Sequence, residues 1–389
     1  MKALVFERDV PRFAAAMTAG SLRPGSGARV GPLRLLDTDV PALPGPGWVH
    51  VKPRLAGICG SDLATIDGTS SRYFEPIVSF PFTMGHEVVA DLEGTDGSQR
   101  VVLEPVLGCV TRGIDPPCAP CAAGDLGNCT NIAFGDLRPG LQSGFCCDTG
   151  GGWSTVMAAH RSQLHAVPAD LSDEAAVLVE PAACAVHAAR SIDGGNVAVI
   201  GAGTLGLLVI AALRQADRVG SILATAKYAR QRAFARAFGA DRVVEPDELA
   251  RAVRSATGSF MLGDGSLGQL TGGISTVVDC IGSEASIAQA LSVVAPGGEI
   301  VMVGMPGHTS LDLTPLWHRE SRLRGCYAYD HDDFARATEL VGAAELGRLV
   351  SATYPLSRYR DAIEHAASAG PRGSVKIAFD LRNERERNR

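Results

Sequence analysis

Four cysteines stand close enough together in this chain to share one metal ion. Cys109, Cys118, Cys121 and Cys129 fall within 21 positions, and Cys118 and Cys121 form a Cys-x-x-Cys pair in a stretch rich in glycine and proline. Such a pair brings two sulfurs to one ion without the help of a helix or strand, and Zn²⁺ takes four thiolates in a closed tetrahedron. The lobe from 109 to 129 is therefore expected to hold a structural zinc. Cys146 and Cys147 are adjacent in sequence, and neighbours do not readily share one tetrahedral ion, so they receive no role.

A second chemistry is written in glycine. The uncharged run Val197, Ala198, Val199, Ile200 feeds directly into Gly201, Ala202, Gly203, Thr204, Leu205, Gly206 and an apolar stretch to Gln215. This reads as strand, glycine turn and helix. Gly201 permits the tight turn, Gly203 lets a pyrophosphate approach the backbone, and Gly206 lets the helix from Leu207 to Gln215 pack close to the strand. The helix N-terminus then faces the phosphates.

Further candidate ligands are single residues. Cys59 lies in Gly57-Ile58-Cys59-Gly60-Ser61-Asp62, and His86 and Glu87 follow it by 27 and 28 positions in Gly85-His86-Glu87. Taken alone, a lone cysteine and a lone histidine read as a buried thiol and a satisfied core imidazole. Glu180 stands in apolar company after Ala176, Val177, Leu178 and Val179 and before Pro181. A carboxylate there is costly to bury without a partner, which points to a nearby cation.

The elements that must position these groups divide into two kinds. Up to about residue 183 the chain reads as strands and loops, opening with a strand at Met1 to Phe6. A Gly-, Pro- and Arg-rich loop with a short helix at Arg12 to Met17 follows, then a helix over Leu171 to Ala183 with Ser172 as N-cap. After the glycine turn, strands at Val219 to Thr225, Arg242 to Val244, Thr276 to Asp279 and Glu299 to Val303 alternate with helices at Arg230 to Phe238, Asp247 to Ala256 and Glu284 to Val294. This alternation predicts a parallel sheet with helices on both faces. Gly258 to Gly273 reads as a surface loop, and Leu323 to Phe379 as two helices and two strands without a nucleotide motif.

At 389 residues two domains are expected. A net charge of −6 with acids and bases interspersed gives no nucleic-acid surface. The longest uncharged run, Val197 to Leu213, carries glycines at fingerprint spacing and reads as a buried strand and helix rather than a membrane span. With no leader-like segment at Met1 to Phe6, a cytoplasmic location is expected, with small molecules and further copies of itself as partners. Ten cysteines in so long a chain suit metal ligands or free thiols better than a disulfide framework.

Assembled in this order, the Gly-Ile-Cys-Gly-Ser-Asp stretch, Gly-His-Glu, the four-cysteine lobe and the glycine fingerprint make the chain resemble the zinc-dependent medium-chain dehydrogenase/reductase family over nearly its whole length. The resemblance implies an α/β protein. A GroES-like, β-rich catalytic domain at 1–182 would be followed by a Rossmann domain at 183–322, with a return segment at 323–389 completing the first. It implies that Cys59 and His86 are catalytic zinc ligands and that Glu87 and Glu180 are carboxylates of the same centre. Asp62 would orient the histidine, Ser61 would pass the substrate proton, and Lys376 would reach the cofactor phosphates. Glutamate at 180, where many simple alcohol dehydrogenases have cysteine, favours a hydroxyl-rich substrate. A homodimer or homotetramer is implied, paired through Glu299 to Val303.

Three positions depart from the family pattern. Ala64 stands where many members have a proton-relay histidine. The first lobe thiol is displaced, with Asp115 in its usual place and Cys109 reaching back. The second strand of the nucleotide domain ends in Thr225 and Ala226 with no carboxylate for the ribose hydroxyls, followed by the basic Lys227, Arg230 and Arg232. The expectation is one catalytic and one structural zinc, hydride transfer between an alcohol, polyol or sugar hydroxyl and a nicotinamide, and NADP rather than NAD. Zinc-free reduction of quinones or enones by the same fold, and a catalytically silent sensor or structural subunit, stand as alternatives.

Overall fold

The computed structural model describes residues 1–94, 97–263 and 268–383, and the chain divides into two compact units, Met1–Glu180 joined by the chain from Ala328 onward, and Pro181–Tyr327. The expected boundaries move by a few residues because Arg322–Gly325 pairs in parallel with Val294–Met302 and so belongs to the second unit's sheet.

The first unit is β-rich. Its largest sheet runs in the order Val350–Tyr354, Lys376–Asp380, Trp48–Gly57, Val88–Gly94, Gly97–Leu103, Leu164–Ala166, with Met157–His160 also paired to Trp48–Gly57. The end of the chain thus returns to this sheet: Ala378 sits opposite Gly57 in an antiparallel register. A smaller sheet orders Leu33–Asp37, Lys2–Phe6 and Phe82–Thr83. Trp153 and Phe379, both fully buried, meet edge to face at 5.0 Å in the core that joins them.

Two local readings are corrected here. The segment read as loop with a helix at Arg12 to Met17 contains the longer helix Val10–Leu22, started by Asp9, whose carboxylate accepts from Arg12 N at 3.0 Å, and by Pro11 in the first turn. Buried Asp67 then ties down the following turn by accepting from Gly25 N and Gly27 N at 2.6 and 2.9 Å. The helix expected over Leu171 to Ala183 is two. Asp173–Ala176 is capped by Ser172, and Val179–Arg190 holds Pro181 in its first turn, where a missing N–H costs nothing. Glu180 therefore stands in the first turn of the second of these helices.

The second unit is a six-stranded parallel sheet in the order Arg242–Val244, Ile222–Thr225, Val197–Ile200, Ile274–Asp279, Val294–Met302, Arg322–Gly325. Strand order reverses beside Val197–Ile200, which is where doubly wound sheets bind ligands at their C-terminal edge. Two expectations fail in this unit. Part of the presumed loop Gly258 to Gly273 forms the antiparallel pair Met261–Leu262 and Gln269–Leu270, while 264–267 lie outside the described residues. Glu299 to Val303 is not an outer strand: Val294–Met302 is hydrogen-bonded on both sides, and Arg322–Gly325 takes the edge.

Candidate metal centres and nucleotide turn

Cys59 caps the helix Gly60–Ile66 in extended conformation, and its N–H donates to Asp62 Oδ2 at 2.9 Å. Asp62 is fully buried, and its other oxygen lies 3.5 Å from His86 Nδ1. That carboxylate occupies one side of the imidazole and leaves Nε2 as the nitrogen for a metal. His86 and Glu87 come from a turn opened by Gly85 at φ +99°, where a side chain would collide with Trp153. Donor atoms of Cys59, His86 and Glu87 all lie within 4.8 Å of one another. A thiolate, an imidazole and a carboxylate in one buried group fit zinc, whose catalytic sites keep three protein ligands and an open position.

Glu180 stands outside that tight group. Tyr329 OH donates to its Oε1 at 3.2 Å. Burial pushes its carboxyl up to about 7, with His86 opposing the rise and Glu87 adding to it, so the three groups share one electrostatic environment. Ser61, half-buried, sits in the first turn of the helix that follows Cys59, and Ala64 in the same helix offers no titratable group.

Lys376, expected toward the cofactor phosphates, has two protein partners. It is buried in the first unit, forms an ion pair with Glu87, and donates to the Ile58 carbonyl at 3.1 Å. Burial works against its charge, but Glu87 and Cys59 more than compensate and hold its pKa above the usual lysine range. Its ammonium is committed to the carboxylate beside His86. Gly57 makes room for this pair, since a Cβ there would overlap the Glu87 carboxylate and press on the Lys376 side chain. That role was hidden in a motif read for its cysteine.

The four lobe cysteines also converge, with all four Sγ atoms within 4.8 Å of one another and Cys109 to Cys129 at 3.8 Å. Cys109 does reach the group from its displaced position. The sulfurs accept backbone or amide N–H groups, from Cys118 N and Asn131 Nδ2 to Cys109, Cys109 N to Cys121 and Asn131 N to Cys129, at 3.3 to 3.5 Å. Four thiols oriented by N–H donors are the donor set of a closed structural zinc site. Sequence reading passed over Arg112, which is fully buried and donates to the carbonyls of Leu107, Phe134, Leu137, Arg138 and Gly140 at 2.6 to 3.4 Å. Burial lowers its pKa while the nearby thiols of Cys146, Cys129 and Cys109 oppose that fall.

In the second unit the glycine turn has the expected shape. Gly201 adopts φ +92°, a Cβ at Gly206 would overlap the Gly201 carbonyl, and a Cβ at Gly203 would meet no protein atom within 4 Å. The helix begins earlier than read, at Thr204, so Thr204, Leu205 and Gly206 form its first turn and their N–H groups face its N-terminal end. Thr225, expected among the cofactor-binding residues, is buried, and its hydroxyl accepts from Gly201 N at 3.0 Å, so it braces the glycine turn. Lys227 is exposed, Arg230 lies over the Phe234 ring, and Arg232 is spent on the carbonyls of Ala226 and Lys227 and on Glu245. Asp279, unremarked in the sequence, accepts from Ile281 N and Gly282 N at the end of the neighbouring strand. Trp317 is exposed, and Arg319 pins the Gln269–Leu270 hairpin through the Leu270 carbonyl.

The two halves of the chain match two family descriptions, "Alcohol dehydrogenase GroES-like domain" over residues 45–169 and "Zinc-binding dehydrogenase" over residues 204–343. "Probable D-xylulose reductase A" of Arthroderma otae is 30% identical over 321 residues, covering 80% of this chain and 83% of that protein. Sorbitol dehydrogenase of Bacillus subtilis is 25% identical over 351 residues, covering 85% and 90%. Among solved structures, a Sinorhizobium meliloti chain bound to NADP superimposes with a TM-score of 0.72 at 24% identity, covering 97% of this chain and 98% of its own. L-idonate 5-dehydrogenase of Escherichia coli gives 0.71 at 21% identity and 97% coverage of each chain.

Proposed function

The chain belongs to the zinc-dependent medium-chain dehydrogenase/reductase family, and from that premise we propose that it transfers hydride between a polyol or sugar hydroxyl, or the matching carbonyl, and NADP. The observation that carries this reading is the convergence of Cys59, His86 and Glu87 beside buried Glu180. When bound, zinc would supply Lewis acidity to a substrate hydroxyl and the nicotinamide the hydride acceptor. Cys59 and His86 would hold the metal, with Glu87 and Glu180 as the carboxylates of that centre, and Cys109, Cys118, Cys121 and Cys129 would hold a second, structural ion.

The chain's own residues then have separate tasks. Asp62 keeps the His86 ring aimed with one nitrogen free. Lys376 neutralises Glu87, which leaves that carboxylate a choice between an ammonium and a metal. Ser61 takes the substrate proton, and Ala64 leaves no histidine to relay it further along the helix. The nucleotide lies against Gly201, Gly203 and the N–H groups of Thr204, Leu205 and Gly206, with Lys227 and Arg230 toward the 2′-phosphate. The NADP-bound Sinorhizobium structure and the polyol-acting relatives support this choice of cofactor and substrate class. A homodimer or homotetramer would pair through the edge strand Arg322–Gly325.

Metal analysis of the dialysed protein, with a screen of alcohols, polyols and sugars against both cofactors, tests the reading. Two tightly held zinc ions per chain and NADP-linked turnover of a polyol are expected. Metal-free protein that reduces quinones instead would overturn it.

A further inference from the structure

We propose that Glu104, His165 and His331 form a third metal site, taking a divalent transition ion of the zinc and cobalt class, separate from both cysteine-containing centres. Glu104 follows the strand Gly97–Leu103, His165 lies in Leu164–Ala166 opposite Val102, and His331 opens the helix His331–Ala343. Three distant stretches thus deliver one donor each, and the donor atoms all lie within 4.8 Å of one another.

The geometry is built rather than incidental. Glu104 is 1% exposed, and its backbone is locked to Gln163 through Glu104 N to Gln163 O at 2.8 Å and Gln163 Nε2 to Glu104 O at 3.0 Å. His165 Nε2 and His331 Nδ1 both contact the same oxygen, Oε2, at 2.7 and 2.8 Å. The other oxygen, Oε1, is buried with no hydrogen-bond partner. A buried carboxylate oxygen left unpaired is expensive, and a cation between the rings would satisfy it. Phe334 packs against the His165 ring at 4.6 Å and fixes its orientation, as a metal-ligating imidazole requires.

Tetrahedral zinc with bonds of about 2.1 Å holds its ligand atoms about 3.4 Å apart. The two rings need open only slightly from Oε2, or the carboxylate can turn to present Oε1. Binding would displace the protons that now lie between the ring nitrogens and Oε2. His331 has half its side chain in solvent and His165 about a third, so water can complete the coordination shell. Imidazole and carboxylate donors select zinc, cobalt or nickel over calcium or magnesium.

The experiment is a calorimetric titration of zinc into full-length protein whose cysteine centres are already loaded. Its outcome is independent of the catalytic reading, because it counts ions rather than turnover. One further equivalent is expected in the wild type, absent in His331→Ala and in His165→Ala. Repeating the titration with Co²⁺ should add d–d absorption without thiolate charge transfer. The exposed His331 can be removed without disturbing the core, so folding does not obscure the result. No further equivalent in the wild type, meaning a proton-bridged ion pair only, would overturn the site. So would an equivalent that persists in both variants, which would mark adventitious surface binding.

Discussion

The two cysteine-containing centres of the first unit solve opposite problems. The lobe draws four sulfurs from 21 consecutive positions, surrounds them with N–H donors and bolts the loop together through Arg112. The other centre draws Cys59, His86 and Glu87 from two turns on different elements, adds Lys376 from the far end of the chain, and keeps a protonatable glutamate close by. Four equivalent thiols saturate an ion and leave nothing to react. Unlike ligands with a carboxylate held between an ammonium and the metal position leave a coordination place to exchange. On the proposed function, one centre would hold the fold and the other would do the chemistry.

The sharpest way to break that contrast is to remove ligands from each side. Cys59→Ala or His86→Ala should abolish turnover while nucleotide binding, followed by quenching of NADPH fluorescence, stays close to wild type because the glycine turn belongs to the other unit. Residual turnover in either variant at a sizeable fraction of wild type would mean that no zinc chemistry operates there. On the structural side, Arg112→Leu should cost about 3–5 kcal/mol in urea unfolding, since it leaves several carbonyls buried without a donor. Cys109→Ser should release one zinc and lower stability with the ligands at Cys59 and His86 untouched. Two zinc ions retained in that variant would remove Cys109 from the ligand set.

A smaller effect separates holding a ligand from being one. Asp62→Asn keeps the shape but weakens the charge facing His86 Nδ1, and a loss of about 10–100-fold in kcat/KM or metal affinity is expected. An unchanged metal affinity together with an unchanged kcat/KM would make Asp62 only a helix cap for Cys59.

What could be read from sequence tracks how local the physics is. The glycine turn, the Cys-x-x-Cys pair and the Gly-His-Glu turn are decided by neighbours a few positions apart, and each takes the expected form. The Lys376–Glu87 ion pair is not legible in sequence, because nothing local shows that Ala378 registers against Gly57 and carries the lysine to Glu87. Glu104 and His331 are 227 positions apart, and no spacing rule connects them. The outer strand was missed for a related reason: Arg322–Gly325 is short and charged, as edge strands often are, and did not look like sheet at all. Thr225 is illegible for another reason, since a hydroxyl at a strand end can face a ligand or its own turn, and the bond to Gly201 N is a tertiary contact.

That last bond also redirects the test of cofactor choice. An acidic residue that hydrogen-bonds the ribose hydroxyls belongs at the end of the second strand, and Thr225 is already occupied in bracing the glycine turn, so Thr225→Asp would damage the fold rather than probe the pocket. Ala226, the next position, is 1% exposed and an acid there would bury a charge, so the first open place for a carboxylate is exposed Lys227. A carboxylate placed there would face the 2′-phosphate of NADP. Two unit charges at 4 Å interact by about 4 kcal/mol at an effective dielectric near 20 and by about 1 kcal/mol in bulk water. This surface lies between those limits, and about 1.4 kcal/mol is a factor of ten in rate. Lys227→Asp removes the positive charge and adds a negative one, two terms of the same sign, so it should lower the NADP to NAD ratio of kcat/KM by about tenfold to a hundredfold. Lys227→Ala alone should weaken NADP with little change for NAD. A wild-type enzyme that prefers NAD, or a Lys227→Asp variant with an unmoved ratio, would take the basic residues after the second strand out of cofactor recognition and leave them a solvated helix face.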